Sequence, residues 1–174
     1  GLLEGLQDGP AADGLRPQPA LADLPGLVER VAATGMRVEL EHLGAPRPLT
    51  AAQELSVYRI VQESLTNALK HAGGQASASV SLSWEGEGLV LSVVSTGSGP
   101  AGGVVAGAGA GAGGGAGEGA GFGIRGMKDR AHLAGGWLTA GSEGEGEFVV
   151  TAYLPTRRVA APASVPAPAA EDAA

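Results

Sequence analysis

Cysteine is absent from this 174-residue sequence, and aromatic residues make up only 3% of it. Without cysteine the chain has neither disulfide bonds nor thiolate metal ligands, which fits a reducing compartment such as the cytoplasm. With so few aromatics, the 44% of hydrophobic residues must build a core from valine, leucine, isoleucine and alanine. We therefore expect one ordinary hydrophobic domain rather than a small scaffold held together by disulfides.

Basic residues are also scarce, and the formal net charge is -7. A nucleic-acid-binding surface needs clustered lysine and arginine, so we do not expect a nucleic-acid partner. No apolar segment predicts a membrane-spanning helix, because the one long uncharged run is too rich in glycine. The chain begins at Gly1 without a basic, apolar signal sequence, which suggests a fragment of a longer protein.

Glycine and proline are abundant, with 31 and 11 residues, but they are unevenly distributed. Residues 1–20 contain many of both and are predicted to be a linker. Eleven of the 21 residues from 101 to 121 are glycine, which predicts a flexible low-complexity loop over 101–120. The Ala/Pro-rich tail, 156–174, is predicted to be disordered. The folded domain is therefore expected to be 21–155.

Within the folded domain, hydrophobic periodicity and turn residues predict an alternation of helices and strands. Asp23 and Thr50 are the expected N-caps of the first two helices. In chain order the expected elements are a helix to about 33, a strand at 36–41, a helix to about 72, strands at 76–84 and 89–95, a helix at about 124–133, and strands at 137–140 and 147–154. This order predicts an α+β fold, a two-layer sandwich whose helices cover one face of a mostly antiparallel mixed sheet.

The segment 55–72 (LSVYRIVQESLTNALKHA) is predicted to be a helix with two distinct faces. At about 100° per residue, one arc is apolar and would pack on the sheet. The residues of this arc are Val57, Val61, Leu65, Ala68, Leu69 and Ala72. A second arc carries Glu63, Asn67, Lys70 and His71. The oxygen of Asn67 suits Mg²⁺, and Lys70 offers a point charge for phosphate. Helix geometry alone leaves open that this arc is only a solvated surface.

Two blocks of sequence carry a resemblance to a known family. Residues 58–72 (YRIVQESLTNALKHA) resemble the N box of sensor histidine kinases of the nitrate/nitrite-sensor type. Residues 121–130 (GFGIRGMKDR) are similar to the glycine box of the same family, and 148–155 resemble its final strand. The resemblance spans 21–155 and implies a Bergerat-type ATP-binding fold. Taken alone, the G-x-G-x-x-G pattern could be a dinucleotide-binding turn, but a Gly/Ala loop precedes it instead of a strand.

The resemblance implies a site for ATP and Mg²⁺. Asn67 would coordinate the Mg²⁺ that bridges the phosphates, and Glu63 would hold a metal-bound water or tune the local charge. Lys70 and His71 would lie near the phosphates, although His71 could instead be a cation favoured by the helix dipole. At the N-terminus of the following helix, backbone amides would approach the triphosphate. The residues concerned are Gly121, Gly123, Ile124 and Gly126.

The adenine-contacting motif departs from the family pattern, which is Asp-x-Gly-x-Gly. This chain has Ser95, Gly97 and Gly99 at the corresponding positions, so a neutral hydroxyl replaces a carboxylate. Losing a charged hydrogen bond to the adenine amino group costs on the order of 1.5–3 kcal/mol. Adenine selectivity, and with it catalysis, is therefore in question. The loop 101–120 stands where the family has its ATP lid.

The phosphoacceptor histidine of the family is missing. The family places it before an acidic residue, whereas leucine or alanine follows His42, His71 and His132 here. We expect His42 to be exposed and His132 to be structural. Residues 1–6 look like the end of the helical dimerisation segment. The resemblance therefore implies that a dimerisation and phosphoacceptor domain lies elsewhere in a longer parent protein. That parent would be a homodimer through this domain, and whether it is anchored in a membrane stays open.

The function implied is that of a protein histidine kinase, incomplete in this chain. It would transfer the γ-phosphoryl group of ATP to a histidine outside the chain, for relay to a response regulator. Two other interpretations stay open. One is a degenerate, non-catalytic module that serves as an interaction or regulatory domain, which the serine at position 95 favours. The other is a relative from the same ATPase superfamily, such as an anti-sigma serine kinase.

Overall fold

The computed structural model of the chain describes residues 17–71, 76–84, 86–97, 118–144 and 146–156. Three expected regions lie wholly or mostly outside these residues: the linker, the glycine-rich loop and the tail. The described elements follow the order that the sequence predicts. They are a 3-10 turn (Leu21–Asp23), α1 (Leu24–Ala32), β1 (Arg37–Leu43), α2 (Ala51–His71), β2 (Ser77–Ser83), β3 (Gly88–Thr96), α3 (Glu118–Leu133), β4 (Trp137–Ser142) and β5 (Glu147–Pro155).

The five strands form one mixed sheet in the order β1-β2-β3-β5-β4. β1 pairs with β2 in parallel, and the other neighbours are antiparallel. Along β3, Leu89, Leu91 and Val93 are buried while the residues between them are partly exposed. The buried residues belong to one core that also contains side chains from all three helices. The expected α+β sandwich, with helices over one face of the sheet, is confirmed.

The N-terminus of α2 is fixed by the residue that the sequence predicts. The backbone N–H of Gln53 donates to Thr50 Oγ1 at 3.2 Å, and the backbone N–H of Thr50 donates to Gln53 Oε1 at 3.0 Å. This reciprocal pair is a capping box, which satisfies amide groups that the first helical turn leaves free. The cap therefore sets where the helix bearing the polar arc begins.

Asp23 occupies the N-cap position of α1, but its side chain makes no cap hydrogen bond to that helix. Its carboxylate instead accepts from the backbone N–H of Ala20 at 2.8 Å. The predicted start of the helix is thus confirmed. The Asp23 carboxylate, however, accepts its hydrogen bond in the preceding 3-10 turn and not inside α1.

The start of α3 differs from the prediction. The helix begins at Glu118 rather than near Ile124, so Gly121, Gly123, Ile124 and Gly126 lie inside it and not at its N-terminus. An interior glycine costs a helix about 0.5–1 kcal/mol relative to alanine, and for that reason the sequence pattern predicted a later start. Packing of α3 against α2 and β4 outweighs this local preference.

Candidate functional site

The two faces of α2 are separated as predicted. Val57, Val61, Leu65 and Ala68 are buried against the sheet, and Leu69 is partly buried beside them. Ser64 and Thr66 are buried as well, and the Ser64 side chain contacts Met127 of α3. Ala72, the last predicted core position, lies outside the described residues.

The polar arc of α2 divides into a half-buried part and an exposed part. Glu63 and Asn67 are half-buried, whereas Lys70 and His71 are exposed in the last turn. Cations in this position also complement the negative end of the helix dipole. The carboxylate and the amide are therefore the two groups of the arc that the fold partly shields, and the two basic side chains are open to solvent.

Two contacts define how α3 crosses α2. The buried hydroxyl of Ser64 donates to Met127 Sδ at 3.4 Å, and the side-chain amide of Gln53 donates to the carbonyl oxygen of Ala134 at 3.3 Å. The C-terminus of α3 thus lies near the start of α2, so the helices run antiparallel. The glycine-rich half of α3 consequently lies beside the half of α2 that carries Glu63 and Asn67.

At Gly123 the glycine block meets the polar arc directly. A Cβ added at Gly123 would collide with Glu63 Oε1 and would lie 3.3 Å from Glu63 Cδ and 3.4 Å from Asn67 Nδ2. The absence of a side chain at this position is therefore what leaves room for the carboxylate and the amide. Gly123 is 56 positions from Asn67 and 60 from Glu63 in the sequence, so local patterns could not establish that the three residues meet.

The neighbouring predicted site residues have different surroundings. Ile124 is partly buried and packs against the hydrophobic core. A Cβ at Gly126 would lie 3.0 Å from an Arg130 guanidinium nitrogen and would meet nothing closer. Gly121 lies in the N-terminal half of α3. Of Gly123 and Gly126, the two glycines of this block whose surroundings the structure describes, Gly123 is the one with a steric connection to the polar arc.

Ser95 lies near the end of β3, on the face of the sheet that the helices cover. It is 9% exposed and stands opposite Phe148 of β5. Its hydroxyl donates to the carbonyl oxygen of Phe148 at 3.3 Å. The single donor of the hydroxyl is thereby engaged within the sheet, while its lone pairs remain available to accept a hydrogen bond.

Gly97 follows Ser95 and is tied to the turn between β4 and β5. Its backbone N–H donates to the carbonyl oxygen of Gly146 at 3.1 Å. Gly146 has a φ of 79°, in the left-handed region that favours glycine, and a Cβ there would lie 2.9 Å from the carbonyl oxygen of Gly97. The strand end carrying Ser95 is thus held by a close approach of two backbones. Gly99, the last residue predicted for this part of the site, lies outside the described residues.

A carboxylate and a side-chain amide are groups of the kind that hold a hard divalent cation directly or through a bound water. Among the described residues, no three His, Asp or Glu side chains are grouped so that they could hold a metal ion. Glu63 and Asn67 supply a carboxylate and an amide side by side at the cradle that a Gly123 Cβ would fill. Mg²⁺ commonly takes one or two protein ligands and fills its octahedron with water and phosphate oxygens, so these two groups suffice.

The remaining histidines do not join this cluster. His42 is exposed on β1 and His132 is exposed on α3. The expectation for His42 is confirmed, and the exposure of His132 gives no support to a structural role in the core.

No helix in the described part of the chain is long and apolar enough to cross a membrane.

Gln53 is a residue whose role the sequence analysis missed. Its side-chain amide donates to the carbonyl oxygen of Pro155 at 2.8 Å as well as to that of Ala134, while its Oε1 accepts from Thr50. One side chain thus caps α2 and ties it to the ends of α3 and β5. The Thr-x-x-Gln spacing would have revealed the capping box, but nothing local reveals the two distant carbonyls.

Comparison with known proteins places these observations in a family. The sequence profile of the histidine kinase-, DNA gyrase B- and HSP90-like ATPases matches residues 52–158. Comparison with curated protein sequences gives no match. Among solved structures, the blue-light activated histidine kinase of Erythrobacter litoralis EL346 is similar, with a TM-score of 0.55 and 21% identity over 79% of this chain and 42% of that one.

Two further structures are similar in fold. The histidine kinase domain of the same Erythrobacter litoralis protein gives a TM-score of 0.54 and 20% identity, covering 88% of this chain and 68% of that one. The nucleotide-free catalytic domain of the histidine kinase ThkA gives a TM-score of 0.54 and 13% identity, covering 77% of this chain and 95% of that one. This chain therefore spans less than half of the first structure and nearly the whole of an isolated catalytic domain.

Proposed function

This chain belongs to the family of histidine kinase-, DNA gyrase B- and HSP90-like ATPases, and we propose that it is the ATP-binding catalytic domain of a two-component sensor histidine kinase. Within that group we propose the nitrate/nitrite-sensor type, on the resemblance of residues 58–72. The observation that carries the proposal is the meeting of Gly123 with Glu63 and Asn67, because it joins the two sequence blocks that resemble the family at one point.

In this proposal the half-buried end of the polar arc binds the metal and the exposed end binds the phosphates. Asn67 would hold Mg²⁺ through its side-chain oxygen, and Glu63 would orient a water beside it. Lys70 and His71 are exposed at the same end of α2 and approach the phosphate oxygens. When bound, Mg²⁺ neutralises phosphate charge. The residues of the chain supply positioning and hydrogen bonds, which is most of what phosphoryl transfer requires.

Ser95 is compatible with adenine recognition despite replacing an aspartate. Because its hydroxyl donates to the carbonyl oxygen of Phe148, the oxygen faces a ligand as an acceptor. The amino group of adenine is a donor, whereas guanine has a carbonyl at the equivalent edge and would find no donor there. We propose that Ser95 keeps the preference for adenine and contributes less binding energy than a carboxylate would.

The phosphoryl acceptor in this proposal is a histidine on a dimerisation and phosphoacceptor domain outside the chain. The γ-phosphorus–oxygen bond to ADP breaks as a phosphorus–nitrogen bond to that imidazole forms, and the phosphoryl group then passes to a response regulator. We further propose that the parent protein is a homodimer through that domain, and that this domain works in the cytoplasm. The long Gly/Ala segment 101–120 is the proposed ATP lid.

The test is titration calorimetry of the chain with ATP, with and without Mg²⁺. Replacing Asn67 with alanine removes the proposed metal ligand, so we expect ATP affinity to fall by roughly 10- to 100-fold, the range for a hydrogen bond or ligand contact to a charged group. Chelation of Mg²⁺ should weaken the wild type in the same way and the variant much less.

The matched control for this test is Ser56→Ala, which removes a hydroxyl from the same helix three turns before Asn67. Ser56 bonds only the carbonyl oxygen of Ala52 within α2, so its loss should leave the calorimetric isotherm unchanged. Equal heats for wild type and Asn67→Ala would mean that the polar arc is a solvated surface and that the domain is a degenerate interaction module.

A further inference from the structure

The face of the sheet that the helices leave open carries an apolar row across all five strands. The strand register aligns Leu43 with Ser83, Ser83 with Val90, Val90 with Tyr153 and Tyr153 with Trp137. Four of these five side chains are apolar or aromatic. We call these five residues the apolar row. It lies at the end of the sheet where the turn between β2 and β3 is, on the opposite face from α2 and α3.

The apolar row is exposed at its two ends and half-buried at the three positions between them. In the part of the chain that the structure describes, three large hydrophobic residues are exposed, and two of them are Leu43 at 40% and Trp137 at 51%. The Trp137 and Tyr153 rings stack with centroids 6.1 Å apart and an interplanar angle of 25°, and about half of Trp137 stays open to solvent beside this stack. A row of apolar side chains that stays partly open to solvent on a sheet face can serve as an interaction surface.

The chain itself supplies a segment at this place. β5 ends at Pro155, opposite Gly88, and Thr156 is held there by bonds from its backbone N–H and hydroxyl to the carbonyl oxygen of Glu87, at 3.4 and 3.0 Å. The sequence that continues from this point therefore starts four residues after Tyr153. Residues 159–170 (VAAPASVPAPAA) contain no charged residue, three prolines and two valines.

We propose that residues 159–170 dock on the apolar row as an extended, proline-rich segment. A polyproline-type chain advances about 3.1 Å per residue, so this segment reaches about 37 Å, while five strands at about 4.8 Å spacing are about 19 Å across. Proline-rich segments recognise exposed aromatic rings because their shape is set before binding and little entropy is lost. Composition alone predicted disorder for this tail, and the apolar row supplies the binding partner that composition does not reveal.

Two features favour the tail over a second copy of the chain. The tether between Thr156 and residue 159 is very short, which gives the tail an effective concentration in the millimolar range or above. A stable dimer needs about 1,200 Å² or more of buried surface in total. The apolar row has only one residue from each strand, so it offers too little surface for such an interface. The uncharged segment also matches a row that carries no charge.

Acrylamide quenching of tryptophan fluorescence tests the proposal. Trp84 is 2% exposed, so Trp137 is the tryptophan that responds to quencher. We expect the quenching constant to rise about twofold when the chain is ended after Thr156, because the open face of the indole is freed. A chain ended after Ala170 retains the docking segment and should behave as the full chain does. A peptide of residues 157–174 should restore protection to the shortened chain.

The substitution Val165→Glu in the full chain gives an independent test that does not depend on how the shortened chain folds. A charge in the centre of the docking segment should raise quenching as far as truncation does, with an unchanged circular dichroism spectrum. Equal quenching in the full chain, the shortened chain and Val165→Glu would overturn the proposal. Protection that persists in the shortened chain and disappears on dilution would overturn it in favour of a second copy.

Discussion

In the proposed site, Ser95 would contact adenine through a neutral hydroxyl in place of a carboxylate. The hydroxyl uses its donor within the sheet, on the carbonyl oxygen of Phe148, and keeps an acceptor for a ligand. A carboxylate at the same position would accept more strongly but would face that carbonyl oxygen without a proton to offer. Ligand affinity and stability of the unbound domain are therefore expected to change in opposite directions.

For Ser95→Asp we accordingly expect ATP to bind about tenfold more tightly or better, as charge-assisted hydrogen bonds do, with a much smaller gain for GTP. Without ATP, the free energy of unfolding should fall by about 1–3 kcal/mol, because the carboxylate is buried beside a carbonyl. Calorimetry and urea denaturation measure the two effects. Unchanged ATP affinity in a folded variant would show that Ser95 does not contact the base.

Gly123 and Gly126 are separated by one helical turn and allow a matched comparison. A Cβ at Gly123 would collide with the Glu63 carboxylate, whereas a Cβ at Gly126 meets only the end of the flexible Arg130 side chain. We expect Gly126→Ala to raise the free energy of unfolding by about 0.5–1 kcal/mol through helix propensity, and Gly123→Ala to lower it.

Gly123→Ala should also weaken ATP binding in the presence of Mg²⁺, since it displaces Glu63 and crowds Asn67. Adding Glu63→Ala to Gly123→Ala should recover stability by removing the collision, without recovering ATP affinity. Thermal denaturation and calorimetry of the single and double variants test this coupling. Independent, additive effects on stability would mean that the two residues are not in contact.

At the scale of elements, α2 depends on its N-terminal cap as much as on its buried face. Thr50 and Gln53 satisfy each other's backbone amides, and Gln53 also bonds carbonyl groups at the ends of α3 and β5. The cap therefore joins three elements rather than one. Loss of the cap should therefore lower the free energy of unfolding of the whole domain, because α2 is bonded through Gln53 to both α3 and β5.

For Thr50→Ala we expect the free energy of unfolding to fall by about 1 kcal/mol, the usual cost of losing an N-cap. Gln53→Ala should cost more, because it also leaves the carbonyl oxygens of Ala134 and Pro155 without that donor. Urea denaturation with an unchanged m-value measures both, and Ser56→Ala, inside α2, serves as the control. Gln53→Ala costing less than Thr50→Ala would contradict the role assigned to Gln53.

At the scale of the whole molecule, the chain belongs to a family of ATPases, and the proposal places the phosphoryl acceptor outside it. None of its three histidines precedes an acidic residue, and neither His42 nor His132 lies in the Glu63–Asn67 cluster. We expect no acid-labile label on the chain after incubation with labelled ATP and Mg²⁺, whereas adding a phosphoacceptor domain of a related kinase permits labelling of that domain. Label on His42, His71 or His132 would contradict the proposal that the phosphoryl acceptor lies outside this chain.

The sequence by itself determined the features that depend on neighbouring residues. The order of helices and strands follows from periodicity over a few turns, the two faces of α2 from a repeat of 3.6 residues, and the start of α2 from the side chain of Thr50. These interactions join residues that are about four positions apart or fewer, so the local sequence pattern is enough to predict them. Residues 58–72 form one continuous block of sequence, so their resemblance to a known family could be recognised without the fold. That resemblance predicted the roles of Glu63 and Asn67.

Only the tertiary structure decided which distant groups meet. The placement of β5 between β3 and β4 gives Ser95 its partner Phe148 and aligns Trp137 with Tyr153. The helix α3 begins at Glu118, and its packing on α2 brings Gly123 against Glu63. Such contacts join residues tens of positions apart, and their free energy depends on the fit of whole elements. A glycine that weakens a helix in isolation can therefore be the residue that lets two helices approach.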